Sequence, residues 1–207
     1  MKTLLLSFML AFSTLATHAQ DGLVRTYQVN SGTTPVQEEA VKLQIDKNNA
    51  YYQKVVKVDS NITVSAIYIR ALQFMAAKNF QQNYGYEEEG KLIFTTTQDL
   101  NVNPVFSGTD SDVPNPYTVQ FAIVIDMKNG RYRYTIHNVV FFLPTDNGNR
   151  RQTLFDMYQK SIDKDSRRVV RDSANKLIAS FERYLTTLTE ELYGDVEQKS
   201  PIHNTKF

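Results

Sequence analysis

Residues 117–140 read YTVQFAIVIDMKNGRYRYTIHNVV, and apolar and polar residues alternate in them on both sides of Asn129-Gly130. Tyr117, Val119, Phe121, Ile123 and Ile125 take the odd positions, against Thr118, Gln120, Ala122, Val124 and Asp126 on the even ones. A period of two marks a β-strand with one buried face. Asn-Gly is the preferred pair for a two-residue type I′ turn, because both residues tolerate positive φ. The return strand then puts Tyr132, Tyr134, Ile136 and Val140 on its inner face. Such a turn sets the register, so opposing residue numbers sum to 259. Ile125 then faces Tyr134, Ile123 faces Ile136 and Val119 faces Val140. On the other face Asp126 meets Arg133, Val124 meets Thr135 and Ala122 meets His137. Both apolar sets fall on one side of the hairpin.

The flanking segments extend the pattern. Tyr51–Val58 is rich in aromatic and β-branched residues and reads as a strand. After the turn at Asp59–Asn61, Thr63 is placed to cap a helix carrying Val64, Ile67, Ala71, Leu72, Met75 and Phe80 at helical spacing. Leu92–Leu100 returns to strand. Residues Asn101–Pro116 form a long irregular connection with three prolines. Phe141–Leu143 prolongs the hairpin until Pro144, and Thr145–Asn149 is a loop. A short helix within Arg151–Ile162 carries Leu154, Phe155 and Tyr158. A second long helix, from about Arg167 to Tyr193, has Asp165 or Ser166 as its N-cap and Gly194 at its C-terminus. The expected fold class is therefore α+β: a curved antiparallel sheet in the order β-α-β-β-β-α, with two long helices on one face.

The first 19 residues have the features of a secretory signal peptide. Lys2 supplies the positive charge, Leu4–Ala16 the apolar run, and Thr17-His18-Ala19 the small residues before cleavage near Ala19/Gln20. The run is too short to span a bilayer, for which ~20 apolar residues are needed. The expected organisation is a signal peptide at 1–19 and an N-terminal extension at 20–50 with room for an extra strand. A single domain at 51–193 and a flexible tail at 194–207 complete it. Leu23–Val29 is the short strand of the extension, while Ala40–Ile45 fits strand or helix. The expected location is periplasmic or extracellular.

Composition narrows the chemistry. The chain has no cysteine, which excludes disulfides, thiolate metal sites and thiol catalysis. Without Lys2 the 22 basic side chains balance the 22 acidic ones, against a general nucleic-acid or anionic-membrane binder. Beyond the leader, histidine occurs at 137 and 203 alone, and no hydrolase, zinc-protease or nucleotide-binding fingerprint is present. Asp110 with Asp112, and Asp163 with Asp165, have one-residue spacing suited to a hard cation. Calcium wants six to eight oxygens, however, and neither segment completes the pattern. Glu87-Glu88-Glu89 reads as a solvated turn, and Glu190-Glu191 as solvated helix surface. No catalytic residue, cofactor or metal site is assigned.

The local wording of the first strand, helix and hairpin also resembles a known family. Asp46-Lys47-Asn48 leading into Tyr51–Asp59, the helix Ile67–Phe74, and Asp126–Arg133 are similar to an exported Bacteroidetes family of domains of unknown function. That family is described as having a TATA-binding-protein-like (TBP-like) fold. The likeness covers residues 44–142, with Ser60-Asn61 and Phe94-Thr95 where the family often has glycine. It implies the curved sheet with helices on one face and supplies no catalytic residues. The TBP-like name does not itself imply DNA binding, since function resides in sites.

If helices cover one side of the sheet, the other presents Gln120, Ala122, Val124, Arg133, Thr135 and His137. This mixture suits contact with a protein, peptide or glycan of the cell envelope better than catalysis. The function expected is a non-enzymatic binding module. A hydrolase or carbohydrate-active enzyme with an unrecognised carboxylate pair, and a structural envelope component, are the alternatives.

Overall fold

In a computed structural model the hairpin of residues 117–140 forms the middle of a seven-stranded antiparallel sheet, packed on one face by three helices. The structure describes residues 41–102, 115–145 and 148–197. The expected leader at 1–19, the strand at Leu23–Val29 and most of the 101–116 connection, with Asp110 and Asp112, lie outside these residues, as does His203.

The elements run β1 (Leu43–Asp46), β2 (Asn49–Lys57), α1 (Val64–Ala77), β3 (Gln81–Tyr86), β4 (Lys91–Val102), β5 (Asn115–Lys128), β6 (Arg131–Thr145), β7 (Gly148–Thr153), α2 (Leu154–Ile162) and α3 (Arg168–Glu197). In space the strands follow the order β1-β2-β6-β5-β4-β3, and β7 adds to β6. The α+β class stands, but the element order is richer than β-α-β-β-β-α: β1, β3 and β7 are additional strands and α2 is a third helix.

The hairpin register matches the expectation from Lys128↔Arg131 to Ala122↔His137, with opposing numbers summing to 259. Beyond that point β6 contains one extra residue. Gln120 pairs with Val140 and Val119 with Phe141, so the sum becomes 260. Asn138 takes up the surplus in the left-handed region at φ 55°, which asparagine tolerates better than most side chains. The inward positions of β6 therefore change from Tyr132, Tyr134 and Ile136 to Val139 and Phe141. Val140 is half-buried on the opposite face, which corrects the Val119–Val140 pairing.

The turn itself departs from type I′. Gly130 has φ 69°, but Asn129 does not have a positive φ. Tertiary clamps explain this. Gly130 N donates to Ile62 O and its carbonyl accepts from Val58 N, while Asn129 Oδ1 accepts from Val64 N at the start of α1. A Cβ on Gly130 would approach Ser60 Cα at 3.0 Å, so close contact as well as backbone conformation favours glycine.

Thr63 caps α1 as expected, its side chain accepting from Ala66 N. At α2, Thr153 and Asp156 form a reciprocal capping box at 3.1 and 2.9 Å. Donation from Thr153 N to the Asp156 carboxylate, with the Thr153 side chain beside it, holds that carboxyl below its ordinary pKa. Pro144 does not end β6, which continues to Thr145 opposite β7. Gly194 does not end α3 either. The helix runs three residues further because Val196 is fully buried and its carbonyl accepts from Arg70 Nη1 at 2.6 Å. Glu197 also accepts from Asp59 N at 3.0 Å.

The core lies between the inner sheet face and the helices. Phe181 of α3 is its hub, meeting Tyr52, Phe121 and Phe141 edge-on at centroid distances of 5.9, 5.4 and 5.7 Å and stacking on Tyr184. At the rim of this cluster Tyr52 donates to Glu182 Oε1 at 3.3 Å.

Candidate interaction face

The outer sheet face is built by register. Tyr84, Ile93, Val124, Thr135 and Gln53 form one row across five strands, and Tyr86, Lys91, Asp126, Arg133 and Val55 form the next. None of these positions belongs to the core packed under the helices. Val55, Tyr84 and Tyr86 are 54, 41 and 47% exposed, unusual for large side chains on a sheet already packed on its other side. Further along lies a third row of exposed cations, Lys57, Arg131 and Lys128, in direct register. Like charges opposite each other disfavour strand pairing, so folding alone does not account for that row.

The six residues expected on this face all occupy it, with one correction to exposure. Gln120 and Arg133 are exposed and Val124, Thr135 and His137 half-buried, whereas Ala122 is only 6% exposed. It is flanked in register by the larger residues Thr95 and His137. Arg133 Nη2 is held by Asp126 Oδ2 at 2.8 Å, the cross-strand pair that the register requires. Both groups are accessible, so the pair adds at most about 1 kcal/mol. Thr135 Oγ1 accepts from Gln53 Nε2 at 2.9 Å.

The carboxylates have local structural partners. Glu87, Glu88 and Glu89 lie in the β3–β4 turn and accept from Ser65, Tyr86 and Tyr84 hydroxyls. Glu191 pairs with Lys78 at 2.6 Å, joining α3 to the end of α1, so it is more than solvated surface. Asp163 Oδ2 accepts from Ser166 Oγ and its Oδ1 from Asp165 N, which holds its carboxyl below the ordinary range and organises the α2–α3 connection. Among the described residues no group of three or more His, Asp or Glu side chains is arranged to hold a metal.

His137 participates in a feature that its sequence neighbours do not suggest. Strand β2 pairs with β6 up to Ile136, and β7 begins pairing at Val140. At this change of partner, beside the Asn138 bulge, an open depression of about 300 Å³ is lined by Asp46, Asn49, Ala50, Tyr51, His137 and Asn138. Four of these come from the β1–β2 hairpin, nearly ninety positions away in the chain. Asparagine before two valines in a strand was the available signal for the bulge.

Comparisons with known proteins agree with this architecture. Residues 52–142 match the model of a family described as a domain of unknown function (DUF4468) with TBP-like fold. A TBP-like protein from Parabacteroides distasonis superimposes with a TM-score of 0.61 at 12% identity, covering 76% of this chain and 98% of the other. A DUF4468 family protein from Bacteroides ovatus gives 0.57 at 11% identity, covering 76% and 94%. No curated protein matches the chain. No helix among the described residues is long and apolar enough to cross a membrane. Over residues 52–142 the chain thus matches the DUF4468 family of unknown function, and its architecture is the TBP-like α+β fold.

Proposed function

We propose that this chain is a non-enzymatic binding module acting outside the cytoplasm, in the periplasm or as a secreted protein, with the outer sheet face as its contact surface. The observation that carries the reading is the uncovered face itself. Tyr84, Ile93 and Val124 form an apolar run across three strands there, and the next row sets exposed Tyr86 and Val55 on either side of Lys91, Asp126 and Arg133, followed by the cations Lys57, Lys128 and Arg131, which make no ion pair with a described residue. Apolar area rimmed by charge is the surface pattern of a protein or glycan contact. The leader-like residues 1–19 support action outside the cytoplasm.

The test is cross-linked affinity capture from envelope fractions, using the wild type beside Arg133→Ala/His137→Ala and Val55→Arg/Val124→Arg variants. A component recovered by the wild type and lost in either variant supports the reading. Equal recovery by all three proteins places the contact elsewhere, and no recovery above background removes the binding-module reading.

A further inference from the structure

Resting on the binding-module reading, we propose that the depression between the β1–β2 hairpin and β6 is a subsite for one sugar unit of a neutral, hydroxyl-rich glycan. Its lining determines the ligand class. Tyr51 and His137 are half-buried on the sheet face, and Asp46, Asn49 and Asn138 are exposed around them. None of these five side chains makes a hydrogen bond or ion pair with another described residue. Five polar side chains around one concavity are thus available to a ligand. Together they offer carboxylate acceptors, amide donors and acceptors, an imidazole and a phenol.

Other ligand classes fit poorly. The lining has no lysine or arginine, and its carboxylate at Asp46 repels an anion. A hard cation needs six to eight oxygens, and Asp46 is the only carboxylate here. An apolar ligand would leave the carboxylate and both amides without partners at a desolvation cost. A neutral polyol uses them all: carboxylate and amides can each engage hydroxyl groups, while the Tyr51 ring offers an apolar wall to the C–H face of a sugar ring. The volume lies at the lower end for small-ligand sites, which fits one ring, and the open mouth lets a longer chain continue.

The gap arises from topology rather than from a loop. Residues His137–Val139 of β6 have no register partner on this edge, because the pairing with β2 stops at Tyr52, whose strand continues to Asn49 paired with β1 alone, and β7 has not begun. The positive φ of Asn138 places the surplus residue at the same point.

The probes are the methyl glycosides of glucose, galactose, mannose and N-acetylglucosamine, followed by amide NMR. With at least one, saturable shifts are expected at Ala50, Tyr51, His137 and Asn138. Asn49→Ala, at an exposed hairpin position, and Tyr51→Ala should each weaken the response about fivefold, the loss of one hydrogen bond or one wall. The absence of saturable shifts from all four sugars at about 50 mM, which would fill a site of ~5 mM affinity to roughly 90%, overturns the proposal. Shifts unchanged in both variants also overturn it. Capture that is still lost in the Val55→Arg/Val124→Arg variant, which leaves the depression's lining unchanged, while the sugars fail removes the subsite and leaves the binding module intact.

Discussion

Replacing Asn138 isolates the energy of a single backbone conformation. Its side chain is exposed and makes no hydrogen bond among the described residues, while its φ is 55°. Substitution therefore reports mainly the cost of the left-handed region, which is ~1–2 kcal/mol for ordinary L-residues and smallest for Gly and Asn. Alanine should cost about 1 kcal/mol and valine about 2 kcal/mol, because a branched Cβ crowds the backbone further. Glycine should fall within about 0.5 kcal/mol of the wild type, since relief of strain offsets its greater freedom in the unfolded chain. For a domain of this size 1 kcal/mol shifts Tm by about 2–4 °C, so Asn138→Val should melt about 4–8 °C lower and Asn138→Ala about 2–4 °C lower. Thermal and urea unfolding followed by circular dichroism measure the series. Wild-type stability in Asn138→Val would refute the bulge, and a loss above about 1.5 kcal/mol in Asn138→Gly would show that the side chain carries a contact.

Two further perturbations probe the core and its rim. Phe181→Ala removes the ring that meets Tyr52, Phe121 and Phe141 edge-on and should cost about 3–5 kcal/mol in urea unfolding. A loss below about 2 kcal/mol would mean that α3 is not the hub of the core. Burial raises the Glu182 carboxyl above its ordinary value, and the hydrogen bond from Tyr52 only partly offsets this. A raised folded-state pKa favours the protonated form in the native protein, so its contribution is present below the ordinary glutamate value and lost as pH rises through the folded one. Glu182→Gln should therefore raise Tm by about 1–3 °C at pH 7, with the gain vanishing near pH 4. A lower Tm at pH 7 would show that the carboxylate is net stabilising.

The parts that were legible in the sequence are those whose residues report their own environment. Ile123 and Ile125 opposite Ile136 and Tyr134 record a buried face in their alternation, and Thr63 records a helix start. Strands β3 (QQNYGY) and β7 (GNRRQT) were not legible because they lie at sheet margins: no residue of β3 is buried, and Gln152 is the buried residue of β7. No apolar period marks such strands. Gly194 reads locally as a helix end, but contacts from Arg70 and Asp59 hold the following turn in place. The outer face was legible because parity assigns it. The depression beside it depends on Asp46 and Asn49, which reach His137 only through the pairing of β2 with β6.

The surplus residue in β6 has the character of an edge dislocation in a crystal. An extra half-row is inserted, the lattice on each side remains regular, and the misfit is concentrated at one point. Such a defect can be relocated by two positions, through exchange of an asparagine and a branched residue, without altering which side chains face the helices on either flank. Where it lies determines which outer side chains are splayed apart. One core can thus carry its surface concavity at a different row of the same sheet.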